Sequence, residues 1–331
     1  MELRAFGNTG LKVSPIGLGM AALGRPGYIN LGHAHDLGHD YDVAVMERRA
    51  HEVLDAAWNA GVRYFDAARS YGLGEKFLAD WLQSRAVSPG FVTVGSKWGY
   101  TYTADWKFEA LAHEIKEHSL ATLNRQWPES LALLDGYLKI YQIHSATAES
   151  GVLENRPVLQ KLAELKSEGI RIGLSLSGPG QGETLRKAIE IEVEGTRLFD
   201  SVQATWNLLE PSAGSALTEA HAAGIGVIIK EALANGRLTD RNQEPDFAPK
   251  LAILRNVARE LDTSIDALAL AICLNQSFVD VVLSGATNPE QILSNEQAWR
   301  VNVDADRVTH LSVIAEPPER YWAARRQLSW N

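Results

Sequence analysis

Asp66 and Tyr71 lie five residues apart in the stretch RYFDAARSYGLGEKFLADWL, which runs from Arg63 to Leu82. The stretch begins as an apolar strand and ends as an amphipathic helix, so the two ionisable side chains fall on the turn that joins them. A tyrosine hydroxyl has a pKa of about 10, and a nearby ammonium group stabilises the phenolate and lowers that pKa. The pair therefore indicates acid–base chemistry if a cation lies beside it.

Two further side chains could complete such a site. Lys97 ends the apolar run FVTVGSK, and His144 ends the run YLKIYQIH. We expect Lys97 to lower the pKa of Tyr71 and Asp66 to hold Lys97 in place through an ion pair. His144 would share the proton or orient a carbonyl oxygen, and Tyr71 would donate a proton to that oxygen as hydride arrives at the carbon. Because no side chain donates hydride, this chemistry implies a nicotinamide cofactor.

The elements that must position these residues form a repeating pattern of strands and helices. Apolar runs typical of strands occupy 14–20, 62–67, 91–97, 137–144, 170–176, 199–205, 225–231 and 279–285. Helical periodicity follows these runs, for example at 47–60, 75–85, 108–123, 157–168 and 215–223. Eight such units without a break in composition predict a closed (β/α)₈ TIM barrel, formed as one domain over residues 1–331.

Two segments lie outside the barrel pattern at its ends. The residues LRAFGNTGLKVSP predict an N-terminal β-hairpin that plugs the bottom of the barrel. The tail from Glu316 to Asn331 is predicted to cover the mouth. In such barrels the chemistry lies at the carboxyl ends of the strands, so the polar residues that end strands two, three and four should converge there.

Composition narrows the classes of partner. The chain of 331 residues carries a formal net charge of -9, which argues against nucleic acid or an anionic membrane as the main partner. Its single cysteine, Cys273, cannot form an internal disulfide, and its apolar neighbours predict a buried thiol. The first residues lack the apolar core of a signal peptide, and no apolar run approaches the length of a membrane span. We therefore expect a cytoplasmic protein.

The ordered motifs resemble those of the aldo-keto reductases over almost the whole chain. They are GNTGLKVSPIGLG at 7–19, YFDAARSYGLGE at 64–75, VGSKWG at 94–99, YQIH at 141–144 and GATNPEQILSNEQA at 285–298. The resemblance implies an NAD(P)-dependent oxidoreductase on a (β/α)₈ barrel. It implies Tyr71 as general acid, or as base in the oxidative direction. Lys97 and Asp66 would adjust the pKa of Tyr71, and His144 would orient the carbonyl group. FDAARSYG also looks like the aldose 1-dehydrogenase-like branch.

The resemblance also implies a set of cofactor contacts. Gln203 and Ser175 match residues that hold the nicotinamide carboxamide. The position after Ser175 is usually Asn in the family, but here it is Leu176. Ser177 is the candidate to make the hydrogen bond that this Asn would make. Lys230 stands where the family often has an aromatic ring. The full expected set is Gly19, Met20, Asp66, Ser175, Ser177, Gln203, Lys230, Leu233, Asn235, Gly236, Arg237, Gly285, Thr287, Gln291 and Asn295.

The choice of cofactor depends on a site that binds the 2′-phosphate in relatives that use NADP. The segment 284–299 contains no Lys or Arg, and Gln291 occupies a position where Arg is common. A neutral site weakens phosphate binding. Because most members of the family use NADP, the resemblance still favours NADP, with NAD as the alternative. Trp98, next to Lys97, is the expected substrate-pocket wall together with Tyr71 and His144. An aromatic wall suits aldehydes, ketones and aldoses alike.

Other functions stay open at this point. Some barrels of the family are cofactor-sensing subunits of larger complexes, and such a protein would bind cofactor without turnover. A glycoside hydrolase would use Glu149 and Glu231 as its carboxylate pair, but the tyrosine and lysine would then have no role. The loop LGHAHDLGHDYD at 31–42 contains metal-ligand residue types, yet we expect a polar lid and no metal site. The physiological substrate and the oligomeric state are not indicated.

Overall fold

The computed structural model describes residues 1–330, and its centre is a closed barrel of eight parallel strands. Each strand pairs with the next along the chain, and the last pairs with the first. The predicted (β/α)₈ barrel is therefore confirmed. The strands are β1 Ile16–Gly19, β2 Tyr64–Asp66, β3 Thr93–Trp98, β4 Leu138–Ala146, β5 Arg171–Leu176, β6 Ser201–Thr205, β7 Gly226–Lys230 and β8 Val281–Ser284.

Helices surround the barrel, and each of the first six follows the strand of the same number. They are α1 Val43–Asn59, α2 Gly74–Ser84, α3 Leu120–Leu134, α4 Arg156–Ser167, α5 Gln181–Ile189 and α6 Gly214–Ala222. The later helices are α7 Ala248–Glu260, α8 Ile265–Leu274, α9 Pro289–Gln297, α10 Ala305–Leu311 and α11 Pro318–Gln327. Cys273 is buried in α8. Within residues 1–330, none of the helices has the length and apolar character that crossing a bilayer requires.

One predicted helix, at 108–123, is wrong. The chain there forms an antiparallel hairpin in which Tyr100–Tyr102 pairs with Glu114–Lys116. The helix α3 begins only at Leu120 because Ser119 caps it, with the Ser119 hydroxyl accepting a hydrogen bond from the Thr122 amide at 3.1 Å. The hairpin takes the place of the predicted helix and brings Tyr100 and Glu114 to the barrel mouth.

The N-terminal hairpin closes the bottom of the barrel, as predicted. Arg4–Ala5 pairs with Lys12–Val13, and the intervening Phe6 is fully buried. The Phe6 ring packs so closely on Gly226, at the start of β7, that a β-carbon there would lie 2.6 Å from ring atoms. Glycine at this position therefore lets the plug seat against the strand.

The C-terminal tail lies over the opposite end of the barrel. Tyr321 and Trp322 of α11 are buried, and Arg325 forms an ion pair with Glu231, which directly follows β7. Beyond the helix, the Trp330 ring stacks on His113 with centroids 4.1 Å apart. Arg325 and Trp330 both line the mouth, so the predicted cover is confirmed for the described residues.

Candidate active site

The carboxyl ends of β2 and β3 bring three ionisable groups into direct contact. Lys97, fully buried on β3, forms an ion pair with Asp66, the last residue of β2. The Lys97 Nζ also donates hydrogen bonds to the Ala67 carbonyl oxygen at 3.0 Å and to the Tyr71 Oη at 3.2 Å. The lysine is therefore fixed on three sides, and one of its N–H groups points at the phenol oxygen.

The turn after β2 places Tyr71 over this lysine. The Tyr71 amide donates to the Ala68 carbonyl oxygen at 3.0 Å, and the Gly74 amide, at the start of α2, donates to the Tyr71 carbonyl oxygen at 2.9 Å. The loop after β1 presses on the same turn, since a β-carbon on Gly24 would lie 2.3 Å from the Tyr71 carbonyl oxygen. A side chain at residue 24 would displace the turn, and with it the phenol.

Asp66 is bonded on both of its oxygens. Besides the lysine, its Oδ1 accepts hydrogen bonds from Gln203 Nε2 at 2.9 Å, from Gln142 Nε2 at 3.3 Å and from the Tyr64 hydroxyl at 3.3 Å. These donors come from β6, β4 and β2, so the carboxylate joins strands across the barrel interior. The carboxylate is thereby fixed in position beneath the cavity.

The pKa of Tyr71 differs from the sequence prediction. Burial and the Asp66 carboxylate hold the pKa of Tyr71 well above its ordinary value, whereas the Arg25 guanidinium acts to lower it. The expected lowering by Lys97 does not prevail, because removing the phenol from water penalises the phenolate. A raised pKa keeps Tyr71 protonated at neutral pH, which is the state that a general acid requires.

His144 lies edge-on to the phenol, with ring centroids 5.5 Å apart and an interplanar angle of 85°. Its Nδ1 is 3.4 Å from the Ser70 hydroxyl oxygen. Burial and the nearby Lys97 and Arg25 charges hold the pKa of His144 well below its ordinary value. The imidazole is therefore neutral at physiological pH and can hydrogen-bond to a carbonyl oxygen without adding a charge.

A cavity of about 670 Å³ opens over these residues at the barrel mouth. Tyr71, His144 and Asp66 line it, whereas Lys97 lies beneath them and is not exposed to it. The cavity continues past the ends of β5 to β8. The other expected cofactor contacts that line it are Gly19, Ser175, Ser177, Gln203, Lys230, Leu233, Asn235, Gly236, Gly285, Gln291 and Asn295.

Four expected contacts do not line the cavity. Trp98 is fully buried against His118, because successive residues of a strand point to opposite faces and Lys97 takes the inward one. Met20 is buried in the core, Arg237 is held by Glu316 at 2.7 Å, and the Thr287 hydroxyl donates to Asp36 at 2.9 Å. Trp98 is thus not a wall of the substrate pocket, although its position next to Lys97 in the sequence suggested that role.

The part of the cavity near β6 and β7 fits a nicotinamide cofactor. Gln203 and Ser175 present an amide and a hydroxyl, and Asn235 lies in a left-handed turn with φ 57°. The buried Asn235 Oδ1 has no hydrogen-bond partner within residues 1–330, so an acceptor is available there. Above Gly285, a β-carbon would meet no atom within 4 Å, which leaves room for a ligand.

The ammonium of Lys230 is held by two neighbouring side chains at the wall of the cavity. It donates to the Thr205 hydroxyl at 2.9 Å and lies 3.8 Å from Glu231 Oε1. Burial lowers the pKa of Lys230 to about 8, although Glu231 acts to raise it. The charge that would oppose an oxidised nicotinamide is therefore partly neutralised and close to titration at physiological pH.

Sequence reasoning missed a buried arginine beside the phenol. Arg25 Nη1 donates to the Ser70 carbonyl oxygen at 3.0 Å and pairs with Glu114 at 2.8 Å. Its guanidinium lies 5.2 Å from the centre of the Tyr71 ring and 4.8 Å from that of Trp330. Arg25 lies in the long loop between β1 and α1, whose length marks it as an insertion, but nothing in its sequence shows which residue folds inward.

The two carboxylates of the glycoside hydrolase alternative do not form a pair. Glu149 is exposed in a short helical turn and does not line the cavity. Glu231 lines it, and although burial acts to raise the pKa of Glu231, Arg325 and Lys230 lower it to about 2. A carboxylate with so low a pKa cannot serve as the acid that this reaction needs.

The histidine-rich loop contains a one-turn helix, His33–Asp36, in which His33 is buried. Burial lowers the pKa of His33 to about 4. Across residues 1–330, no three His, Cys, Asp or Glu side chains come together as metal ligands would. Asp36 instead contacts Arg241 at the edge of the cavity.

An eight-stranded barrel with a tyrosine, a lysine, an aspartate and a histidine converging at its mouth has the architecture of a barrel oxidoreductase. Residues 15–316 match the model of the Aldo/keto reductase family, and the chain therefore belongs to that family. The predicted family membership is confirmed.

Individual relatives agree with this assignment. The chain is 26% identical to L-galactose dehydrogenase from Arabidopsis thaliana, with 96% of this chain and 95% of the relative covered. It is 23% identical to D-threo-aldose 1-dehydrogenase from Pseudomonas sp, with 87% and 92% covered. Its fold is similar to the holo form of an aldo-keto reductase from Bacillus halodurans, with a TM-score of 0.72, 22% identity, and 96% and 97% covered.

Proposed function

We propose that the protein is a nicotinamide-dependent oxidoreductase that transfers hydride between its cofactor and the carbonyl carbon of an aldehyde, a ketone or an aldose. The observation that carries the proposal is the contact of Tyr71 Oη with Lys97 Nζ at 3.2 Å, on the floor of the cavity. When bound, the cofactor supplies or accepts the hydride. The protein supplies the proton and the groups that hold the substrate oxygen.

Tyr71 is the proposed proton donor. In the reducing direction its O–H bond breaks, and the proton goes to the oxygen of the carbonyl group that receives hydride at carbon. The phenolate left behind accepts the hydrogen bond from Lys97, whose charge is balanced by Asp66. In the oxidising direction the same phenolate removes the proton of an alcohol or lactol hydroxyl. The strands fix these contacts before substrate binds, so little reorganisation is needed during the reaction.

His144 is the proposed orienting group. Its neutral ring lies at the side of the phenol and can hydrogen-bond to the same substrate oxygen, which fixes the direction of the carbonyl group. The Tyr100 ring packs at a tilt against His144, with centroids 4.8 Å apart and an interplanar angle of 55°, and limits the positions that the imidazole can adopt. The two residues therefore act on orientation, whereas Tyr71 acts on the proton.

A polyhydroxylated substrate is the class that the cavity suits best. Near the phenol it presents charged hydrogen-bonding groups from Arg25, Glu114 and Glu231 beside the aromatic faces of Tyr28 and Trp330. Sugars use both kinds of contact, since hydroxyls bind charged groups and C–H faces pack on rings. The two relatives reported above are named for the oxidation of sugars, which supports an aldose or its lactol as substrate.

Turnover by the Tyr71→Phe variant tests the proposal. We expect the wild-type protein to oxidise or reduce members of a panel of aldoses and aldehydes, and the variant to lose about 100-fold to 10,000-fold in kcat, the usual contribution of a general acid. Cofactor binding should be retained. The matched control is Tyr137→Phe, because Tyr137 lies outside the cavity and its hydroxyl bonds to the Val87 carbonyl oxygen.

The same experiment separates the cofactor-sensor alternative. A sensor would bind the cofactor tightly, yet the wild-type protein would form no measurable product with any substrate of the panel. Equal turnover by the wild type and Tyr71→Phe would contradict the role of Tyr71 as acid.

A further inference from the structure

A segment of the loop after β1, residues 28–36, lines the cavity with its first four residues; we call it the strap. The Leu31 amide donates to the Asn235 carbonyl oxygen at 3.1 Å, and Asn235 Nδ2 donates to the Ile29 carbonyl oxygen at 2.9 Å. These reciprocal bonds tie the strap to the turn after β7. Tyr28 to Leu31 line the cavity from above, so a ligand lying along β7 and β8 would pass beneath the strap.

The strap ends in a carboxylate that is bonded to residues around the end of β8. Asp36 Oδ2 accepts hydrogen bonds from Arg241 Nη1 at 2.6 Å, Thr287 Oγ1 at 2.9 Å and Gln291 Nε2 at 3.0 Å. Asp36 Oδ1 accepts a further bond from Arg241 Nη2 at 2.7 Å. Only 3% of the Asp36 side chain is exposed. A carboxylate with these partners is fixed in place and stays ionised at neutral pH.

The position of the proposed proton donor determines which end of a dinucleotide meets this carboxylate. The nicotinamide would lie within reach of Tyr71 and against Gln203 and Ser175, because hydride and proton go to the same carbonyl group. The rest of the molecule then extends along the cavity, whose β8 side is lined by Arg241, Gln291 and Asn295. The adenosine ribose, which carries the phosphate in NADP, would then lie towards Arg241 and Gln291, two residues of the cavity lining that bind Asp36.

The charges at this end oppose a phosphate group. The cavity lining includes the carboxylates of Asp240 and Asp266, and Asp36 already binds the Arg241 guanidinium through both of its terminal nitrogens. The segment 284–299 adds no Lys or Arg. A dianionic 2′-phosphate would have to displace Asp36 from Arg241 or lie beside it as a like charge. The ribose hydroxyl of NAD, in contrast, could donate a hydrogen bond to a carboxylate.

The geometry points to Asp36 as the residue that selects NAD(H) over NADP(H), by holding a fixed negative charge where the 2′-phosphate would bind. This inference rests on the proposed function, since it uses the position of the hydride-transfer site. It also revises the preference for NADP expected from the sequence. The preference for NAD(H) would then have two causes. The Asp36 carboxylate repels the 2′-phosphate, and the segment 284–299 has no cation to bind it.

Isothermal titration calorimetry of the protein with NADH and with NADPH measures the two affinities and tests the inference without any turnover. We expect the wild-type protein to bind NADH about tenfold or more tightly than NADPH. In Asp36→Asn the affinity for NADPH should rise by about tenfold or more, because the charge is removed while the shape and one acceptor oxygen are kept. The affinity for NADH should change much less, and this binding shows that the variant is folded.

The matched control is Asp40→Asn, which removes an equal charge four positions away in the same loop, at an exposed residue outside the cavity. It should keep the wild-type ratio of affinities. An unchanged ratio in Asp36→Asn, or a wild-type protein that binds NADPH as tightly as NADH, would overturn the inference and leave the proposed function intact. Binding of neither coenzyme would overturn both.

Discussion

Replacing Arg325 by Met should weaken the attachment of the C-terminal helix, α11, to the barrel mouth, so that the helix opens more often. The Arg325 guanidinium binds the Glu231 carboxylate through two nitrogens, with Nε at 2.8 Å from Oε1 and 2.9 Å from Oε2. The Glu231 side chain is only 7% exposed. The substitution keeps most of the aliphatic volume of Arg325, so the main change is a buried carboxylate that has lost its principal partner.

The expected magnitude follows from the pKa of Glu231. The structure lowers that pKa from an ordinary 4.5 to about 2, and a difference of this size corresponds to about 3 kcal/mol of stabilisation at neutral pH. Removing one partner of a buried ion pair typically costs about 3–5 kcal/mol, which agrees. We therefore expect the free energy of opening of α11 to fall by about 3 kcal/mol, equivalent to roughly a 150-fold rise in its opening equilibrium.

Hydrogen–deuterium exchange of the amides in α11 measures this opening directly. Because the pKa of Glu231 is depressed by folding, the stabilisation is present above pH 4.5 and is lost as the pH falls towards 2. The difference between the wild type and Arg325→Met should therefore be large at pH 7 and shrink in acid. The control is Arg320→Met, since Arg320 is exposed on the same helix. Unchanged exchange of α11 in Arg325→Met at pH 7 would refute the reasoning and show that Lys230 and Thr205 suffice for Glu231.

Two further predictions concern pH. The affinity for NAD⁺ should rise as the pH increases through about 8, where Lys230 loses its charge, and Lys230→Met should remove this dependence; a wild-type affinity that is constant across this range would contradict it. The kcat for carbonyl reduction should be flat from about pH 6.5 to 9, since Tyr71 stays protonated and His144 stays neutral there. A fall in kcat with an inflection inside that range, measured at saturating substrate, would show that one of the two titrates.

The barrel could be predicted from the sequence because its evidence is local. Each strand is a short apolar run, and each helix repeats apolar residues with a period that is visible without knowing its neighbours. Polar residues at the ends of three runs then gave the group of Asp66, Lys97, Tyr71 and His144, since parallel strands in a barrel end at the same mouth.

Two errors, the helix at 108–123 and the pKa of Tyr71, arise where neighbours in space decide the outcome, whereas the error at Trp98 comes from overlooking a local rule. The segment 108–119 has helical periodicity, yet its partner in the hairpin, Tyr100–Tyr102, offers an alternative that a single-segment pattern does not contain. Trp98 was predicted from its position next to Lys97, although alternation along a strand places the two side chains on opposite faces. The pKa of Tyr71 depends on how completely the phenol is removed from water, and that follows from loops whose shape is not encoded locally.

Three ion pairs around the mouth could not be predicted from the sequence either, because their partners are far apart in the chain. Arg25 pairs with Glu114, Arg325 with Glu231, and Arg241 with Asp36. Each pair joins a loop or the tail to a distant segment, and in each the carboxylate is at most 22% exposed. The strand β3 and the turn after β2 fix the lysine and the phenol, to which we assign the proton transfer, whereas these pairs fix the segments that cover the mouth. Changes of substrate or cofactor preference should therefore arise from substitutions in the pairs. Because Arg25, Glu114 and Glu231 also act on the pKa of Tyr71, we expect the Arg241–Asp36 pair to be the one whose substitution leaves proton transfer undisturbed.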